Sequence, residues 1–157
     1  MLFRSLQAVK ERFALLCGAG VVPDAFDGVP AIDFEKKDGV KGEWVHADLH
    51  VPESAPLFTD HFARRPVFPG TLFMQKAIDL ASWITAELPP VDGRNRWTAR
   101  VLADGKLRTF IPPGDSLEFR ARLVRREGDA AVVHVEARHN KRVTGATQIT
   151  LVPEAAT

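Results

Sequence analysis

The amino-acid sequence predicts an α+β fold in which an antiparallel sheet is wrapped around one long central helix. Residues 71–87 form a helical stretch with apolar side chains on nearly every side, and such a helix has to be surrounded by protein. Two strand-like segments precede it, and a long series of segments with alternating polarity follows it. This order is typical of a meander that covers a helix.

An N-terminal extension precedes the predicted sheet. Apolar residues recur at helical spacing over residues 2–17, which predicts an amphipathic helix. We assign residues 1–28 to this helical extension and residues 29–157 to a single domain. A chain of 157 residues has the length of one domain that buries its own core.

Seven strands are predicted in this domain. Two precede the central helix, near residues 31–37 and 43–51, and Asp38-Gly39 is read as the hairpin turn between them. Residues 52–56 are read as a loop. The remaining strands are predicted near residues 97–103, 106–111, 116–126, 130–139 and 142–152.

The stretch from residue 61 to residue 72 is the most informative part of the chain and reads H-F-A-R-R-P-V-F-P-G-T-L. Its two prolines stiffen the backbone, and Gly70 opens a helix whose first N–H groups favour negative charge. His61 is thus a titratable base on a rigid loop beside an anion site. That pair suits the removal of a proton next to a carbonyl and stabilisation of the resulting oxyanion. A tight turn with an incidental histidine is the alternative interpretation.

This stretch resembles the motif H-F-x-x-x-P-V-x-P-G-x-L of the FabA/FabZ-type 3-hydroxyacyl-acyl-carrier-protein dehydratases, a branch of the hotdog fold. A second match begins at Lys106, where K-L-R-T-F-I-P-P-G-D resembles the family's K-x-R-x-x-V-x-P-G-D. The resemblance covers roughly residues 30–153. It implies a hotdog fold and dehydration of a 3-hydroxyacyl thioester to the trans-2-enoyl thioester. The substrate would be carried on the phosphopantetheine of acyl carrier protein, with no other cofactor.

The resemblance also implies roles for individual residues. His61 matches the base that removes the C2 proton, and Gly70 matches the backbone N–H that holds the thioester oxygen. Val67 and Phe68 of the motif are assigned to substrate binding. The family's proton donor is a carboxyl group fourteen residues after the histidine, and that position is Gln75 here. An amide delivers no proton, and general acid catalysis is typically worth ~10²–10⁴-fold in rate.

Asp79 follows one turn after Gln75, where the family usually carries a glutamine. The i,i+4 spacing places both side chains on one helix face, about 6 Å apart. Three interpretations stay open. Asp79 forms an ion pair with Lys76, or Asp79 replaces the missing acid, or a second hotdog chain supplies the acid. The last follows from the family's geometry, in which the histidine and the acid come from opposite subunits. The candidate catalytic residues are therefore His61, Gln75 and Asp79.

The leading hypothesis is a dehydratase of fatty acid, polyene or polyketide biosynthesis. A hotdog acyl thioesterase, with Asp79 acting on water and Gln75 polarising the carbonyl, is the first alternative. The second is a catalytically incomplete subunit that pairs with another hotdog dehydratase. Expected partners are acyl carrier protein and a second hotdog chain, in an obligate homodimer or heterodimer. Six arginines are candidates for a basic rim that binds the carrier, with a solvated charged face as the alternative for each: Arg64, Arg65, Arg94, Arg96, Arg100 and Arg108.

Composition limits the remaining possibilities. The net charge of +1 argues against a nucleic-acid binder. No apolar stretch reaches the ~18–20 residues of a membrane span, and charged residues 10–12 interrupt any signal-peptide pattern. The single Cys17 excludes an intrachain disulfide and fits a cytoplasmic location. No metal site is expected, because the five histidines are scattered. His134 and His139 are expected at the surface or at a sheet edge.

Overall fold

The computed structural model describes residues 32–53, 55, 57–62, 64–94 and 96–154. The predicted helix over residues 2–17 lies outside this part of the chain, and the boundary at residue 28 stays a prediction. The described elements are β1 (Phe34–Val40), β2 (Trp44–His50), α1 (Leu57–Asp60), α2 (Gly70–Thr85), β3 (Trp97–Leu107), β4 (Ser116–Glu127), β5 (Ala130–His139) and β6 (Arg142–Pro153).

The strands form one six-stranded sheet in the order β1-β2-β4-β5-β6-β3. Every neighbouring pair is antiparallel. Strand β2 pairs with β4 although α2 and β3 lie between them in sequence, so the chain crosses the sheet and places β3 at the far edge. The predicted α+β class is confirmed.

The core lies between α2 and one face of the sheet. Phe73, Leu80 and Ile84 of the helix are fully buried, as are Leu117 and Phe119 of β4. The rings of Phe73 and Phe119 pack with centroids 5.4 Å apart. Each fully buried side chain of this size stabilises the fold by about 1.5–3 kcal/mol.

The opposite side of α2 is not covered by the described part of the chain. Gln75 is exposed, and Leu72, Ile78 and Trp83 are only half-buried. The sheet of this chain covers one face of the helix, and the prediction that protein surrounds the helix on every side stays a prediction, which a partner chain would have to fulfil. No helix in the described ranges combines the length and the apolarity needed to cross a bilayer.

The described part of the chain contains six strands where seven were predicted, and the difference lies in β3. Two strands were expected at residues 97–103 and 106–111, but Trp97–Leu107 is continuous and pairs with β6. The register shifts between Ala103 and Lys106, where Asp104 has a positive φ of 53°. A β-bulge therefore stands where the sequence suggested a break. After Leu107 the chain leaves the sheet and passes the motif loop.

The first hairpin turns later than predicted. Gly39 pairs with Val45 inside the β1–β2 ladder, so Asp38-Gly39 is strand and not turn. The turn lies at residues 41–43, where Gly42 adopts a φ of 82°. The N–H of Gly42 also donates a hydrogen bond of 2.8 Å to the carbonyl of Ile84, which joins this turn to the end of α2. Helix α1 lies between the predicted loop and His61, in a stretch for which the sequence predicted no element.

Candidate active site

His61 follows directly after α1, and its backbone is held on both sides. Its N–H donates to the carbonyl of Leu57 over 3.2 Å, and its carbonyl accepts a hydrogen bond of 2.9 Å from the Val67 N–H. The imidazole stacks on the ring of Phe62 with centroids 4.6 Å apart. Among the described residues, no side chain hydrogen-bonds to the imidazole, which is half-buried.

The motif loop is fixed by burial and by one long-range hydrogen bond. Val67 and Phe68 are buried, as are the prolines on either side of them. The N–H of Phe68 donates to the carbonyl of Ile111 over 2.7 Å, which ties the loop to the segment after β3. The two predicted substrate-binding residues, Val67 and Phe68, both line the cleft that contains His61.

Gly70 is the first residue of α2, as the motif predicts. Pro69 precedes it without a side-chain cap, and the first turn contains no acidic residue. No described acceptor takes the Gly70 N–H, so the helix N-terminus keeps a free donor for an anion. The side chain of Leu107 crosses this glycine closely, and a Cβ atom at Gly70 would lie 2.7 Å from Leu107 Cδ1.

His61 and Gly70 share a cleft of about 1120 Å³. One wall is the motif loop, and the other is formed by Leu107 at the end of β3 and by the segment after it, including Arg108 and Phe110. Phe62 and Phe110 are 55% and 58% exposed, which leaves apolar surface at the cleft. Three of the six predicted basic residues line it, Arg64, Arg65 and Arg108, whereas Arg94, Arg96 and Arg100 do not.

The structure separates the base from Gln75 and Asp79. Neither residue lies among the described residues that line the His61 cleft. Gln75 Nε2 donates to Asp79 Oδ1 over 3.0 Å. Asp79 Oδ2 lies 3.0 Å from Lys76 Nζ, so the ion pair considered from the i,i+3 spacing is present. Each carboxylate oxygen of Asp79 therefore faces a donor, Oδ1 the amide of Gln75 and Oδ2 the ammonium of Lys76.

Sequence reasoning missed His139, which lines the same cleft as His61. Its Nδ1 lies 3.4 Å from Asp115 Oδ2 and 3.3 Å from the carbonyl oxygen of Ser116. The expectation that His139 lies at the surface or at a sheet edge did not include its place in this cleft. The β4–β5 register pairs Glu118 with Arg138 and thereby places His139 beside Asp115, and no signal in the sequence fixes this register. No group of residues in the described ranges has the arrangement of a metal site.

Comparison with known proteins adds to this geometry. A family model described as ApeI-like, ApeI dehydratase, matches residues 36–146. The chain belongs to the ApeI-like dehydratase family. The 3-hydroxyacyl-[acyl-carrier-protein] dehydratase FabZ of Streptococcus thermophilus is 31% identical over 98 residues, which cover 62% of this chain and 69% of that relative.

Solved structures agree on the fold. A chain of the dehydratase heterocomplex ApeI:P from Xenorhabdus doucetiae superposes with a TM-score of 0.59 at 13% identity, over 77% of this chain and 97% of that chain. A thioesterase from Haemophilus influenzae superposes with a TM-score of 0.56 at 14% identity, over 74% and 76%. The hotdog fold and the resemblance to FabA/FabZ-type dehydratases are confirmed. The two structural likenesses extend to the fold alone.

Proposed function

We propose that this chain is the His61-bearing subunit of a 3-hydroxyacyl thioester dehydratase. The observation that carries the proposal is the shared cleft, which contains the start of α2 at Gly70 and an imidazole without a hydrogen-bond partner among the described residues. A base and an oxyanion donor are the two groups that abstraction of a proton next to a thioester carbonyl requires.

The reaction uses these groups in order. His61 takes the C2 proton, and the electrons of that C–H bond form the C2–C3 double bond. The C3–O bond breaks, and the departing hydroxyl leaves as water after it takes a proton from an acid. The Gly70 N–H stabilises negative charge on the thioester oxygen while C2 loses its proton. The product is the trans-2-enoyl thioester.

The acid in this proposal comes from a second hotdog chain. Position 75 holds an amide, and both oxygens of Asp79 accept from neighbouring donors, which suits an ionised carboxylate and not a proton donor. Strand β3 offers the surface for such a partner. It lies at the sheet edge, and its Val101 and Leu102 are 52% and 48% exposed. A strand at the open edge of a sheet is a template for pairing with another chain, and exposed apolar side chains on it favour such a contact.

We propose an obligate dimer that closes along β3, either with a second copy or with a different dehydratase-like chain. A heterodimer supplies the acid that this chain lacks, and the ApeI:P heterocomplex is a hotdog assembly of two different chains. In the family geometry, the helix face with Gln75 and Asp79 then faces the His61 cleft of the other subunit.

Acyl carrier protein is the proposed donor of the substrate, without any other cofactor. Arg64, Arg65 and Arg108 surround the cleft, and such cations attract an acidic carrier and the phosphate of its phosphopantetheine. Fatty acid, polyene or polyketide synthesis in the cytoplasm is the setting that this chemistry suits.

A conversion assay tests the proposal. The purified chain, alone and co-expressed with the products of the neighbouring open reading frames, is incubated with a 3-hydroxyacyl-pantetheine thioester. Formation of the conjugated enoyl thioester is followed by absorbance. Conversion that disappears in His61→Ala supports the proposal. Absence of conversion in every assembly contradicts it.

A thioesterase is the second candidate, because the hydrogen bond between Gln75 and Asp79 places an exposed carboxylate next to an amide. In that reaction Asp79 would activate water and Gln75 would polarise the carbonyl. The same incubation separates the two activities, since hydrolysis releases a free thiol and dehydration does not.

A further inference from the structure

Strand β3 is interrupted by two β-bulges that lie at equal distances from its middle. The strand runs from Trp97 to Leu107, so its middle residue is Leu102. The register with β6 shifts at Arg100 and again at Asp104, which adopts a positive φ of 53°. Arg100 stands two residues before Leu102, and Asp104 stands two residues after it. The two bulges therefore occupy equivalent positions on either side of the middle of the strand.

The side chains at these two bulges are exposed and carry opposite charges. None of the ion pairs in the described ranges includes Arg100 or Asp104. One side of β3 has no neighbouring strand in the described sheet. Edge charges of one sign protect a sheet against pairing with another copy, because like charges then face each other. Opposite charges at equivalent positions have the reverse effect.

The faces of β3 are arranged with the same symmetry. Leu102 pairs with the buried Ile149 and lies on the helix side of the sheet. Its neighbours Val101 and Ala103 both lie on the outer side, opposite half-buried residues of β6. The first and the last residue of the strand both lie on the helix side, opposite buried residues of β6. Residues that face each other across two antiparallel strands belong to the same face, so this strand is able to pair with a copy of itself.

A two-fold axis at Leu102 aligns the full length of two β3 strands. Residues at equal distances from Leu102 then face each other, so Arg100 of each copy faces Asp104 of the other. Side chains that face each other across antiparallel strands have Cβ atoms about 4.5–5.5 Å apart, which is within reach of an ion pair. The same surface is used on both copies, and the ion pair therefore forms twice.

Neighbouring positions of the axis are less favourable. With the axis at Ala103, Arg100 would face Lys106, and like charges directly opposite each other are destabilising. With the axis at Val101, Ala99 on the helix side would face Ala103 on the outer side, which an antiparallel pair does not allow. The charges and the alternation of faces thus favour the same register.

We propose that β3 is a self-complementary interface, at which a second copy of this chain binds in the register centred on Leu102 and forms two ion pairs between Arg100 and Asp104. The inference rests on the dimer of the proposed function and names the partner of the chain when it is purified alone. A different dehydratase-like chain replaces the second copy where it offers an acid opposite Arg100 and a base opposite Asp104.

This register brings a residue of the second copy to the candidate site. Trp97 of one copy faces Leu107 of the other, and Leu107 lines the cleft that contains His61. The indole of Trp97 is 7% exposed, and its Nε1 has no hydrogen-bond partner in the described part of the chain. In the dimer, the wall of each cleft therefore continues into the other copy at this tryptophan.

Disulfide trapping tests the register. In the full-length chain with Cys17→Ser, Leu102→Cys places one thiol of each copy at the axis, where the distance between the Cα atoms suits a disulfide. Val101→Cys is the matched control, because Val101 is similarly exposed but faces Ala103 in this register. We expect mild oxidation to form the covalent dimer at least ~10-fold faster in Leu102→Cys. Equal rates in the two variants, or no covalent dimer in Leu102→Cys, would overturn the register.

Exchange of the two charges tests the ion pairs. Arg100→Glu alone sets two acids against each other twice, and Asp104→Lys alone does the same with two bases. A mixed dimer of the two variants regains both attractive pairs. When the variants are co-expressed and one carries an affinity tag, native mass spectrometry should show the mixed dimer in at least ~10-fold excess over random pairing.

A matched control uses a charge on another strand. Arg122→Glu changes an exposed arginine of β4, and this variant should pair at random with tagged wild-type chain. Where Asp104→Lys does not fold because of its positive φ, the cysteine variants alone decide.

The inference and the proposed function fail separately. Random pairing of the two charge variants overturns the ion pairs, and the dehydratase proposal stands if the assembly still converts a 3-hydroxyacyl thioester. Specific trapping and pairing in a dimer that converts no such thioester in any assembly supports the interface and contradicts the proposed function. A wild-type chain that stays a folded monomer overturns the inference.

Discussion

The side chain of Leu107 crosses Gly70 so closely that a Cβ atom on the glycine would lie 2.7 Å from Leu107 Cδ1. Both residues line the cleft that contains His61. The contact joins the start of α2 to the end of β3, and in the proposed reaction it limits the space beside the N–H of Gly70.

Gly70→Ala should therefore impair activity more than stability. Leu107 is 45% exposed and can move, so the variant should change the free energy of unfolding by less than about 1 kcal/mol. The displaced leucine enters the cleft, and misplacement of a substrate by about 1 Å costs up to ~10²-fold in kcat/KM. The double variant Gly70→Ala/Leu107→Ala should recover much of the loss, as neighbouring positions are not additive. Equal kcat/KM in the single and double variants would contradict this account.

His61→Ala should reduce hydration of a trans-2-enoyl thioester, measured in the reverse direction, by at least ~10²-fold with an unchanged Tm. The variant removes the group that takes the C2 proton in the proposed reaction, and the described part of the motif loop contains no other imidazole. His46→Ala removes an exposed histidine from β2 and is the matched control. Retention of most activity in His61→Ala would remove the proposed base.

Gln75→Glu should raise the dehydration rate of the chain purified alone by about 10-fold or more, because it restores a carboxyl group at the family's donor position. The new carboxyl would lie next to Asp79, and two carboxyl groups at such a distance share a proton. In a heterodimer whose partner already supplies the acid, the same change should have little effect. A lower rate in both assemblies would indicate that Asp79 has taken over the donor role.

Sedimentation at low micromolar concentration should give a dimer or a higher multiple, since obligate interfaces of this kind bury on the order of 2,000 Å² or more. Val101→Lys places a charge on the exposed edge strand and should shift the population towards monomer. Val124→Lys makes the same change on β4, at a valine of similar exposure, and should not. A folded wild-type monomer of 17.3 kDa would exclude the shared site.

Local features of this molecule could be predicted from its sequence. The sequence predicts Gly70 at the start of α2 because the motif is contiguous, and its prolines constrain the backbone of the residues next to them. The strands from Ser116 onwards could also be read within one or two residues, since their alternation between polar and apolar residues is regular.

Features that depend on distant contacts could not be predicted. Asp38-Gly39 is a strong local turn signal, yet pairing with β2 keeps it in the strand, and the turn forms at Gly42 beside Ile84. Continuity of β3 through Asp104 depends on pairing with β6. His139 reaches the cleft through the register of a hairpin more than twenty residues long, which sequence spacing alone does not fix.

Strand β3 has one end in the cleft and one long side open to a partner. Leu107 ends the strand and lines the cleft, while Val101 and Leu102 stand on the exposed edge. An interface along this strand makes association and ligand binding thermodynamically linked. A ligand that binds the assembled form more tightly then lowers the dissociation constant of the subunits. The factor is the same as the one by which assembly lowers the dissociation constant of the ligand. Apparent affinity would accordingly rise with protein concentration, so activity per subunit would report the state of assembly.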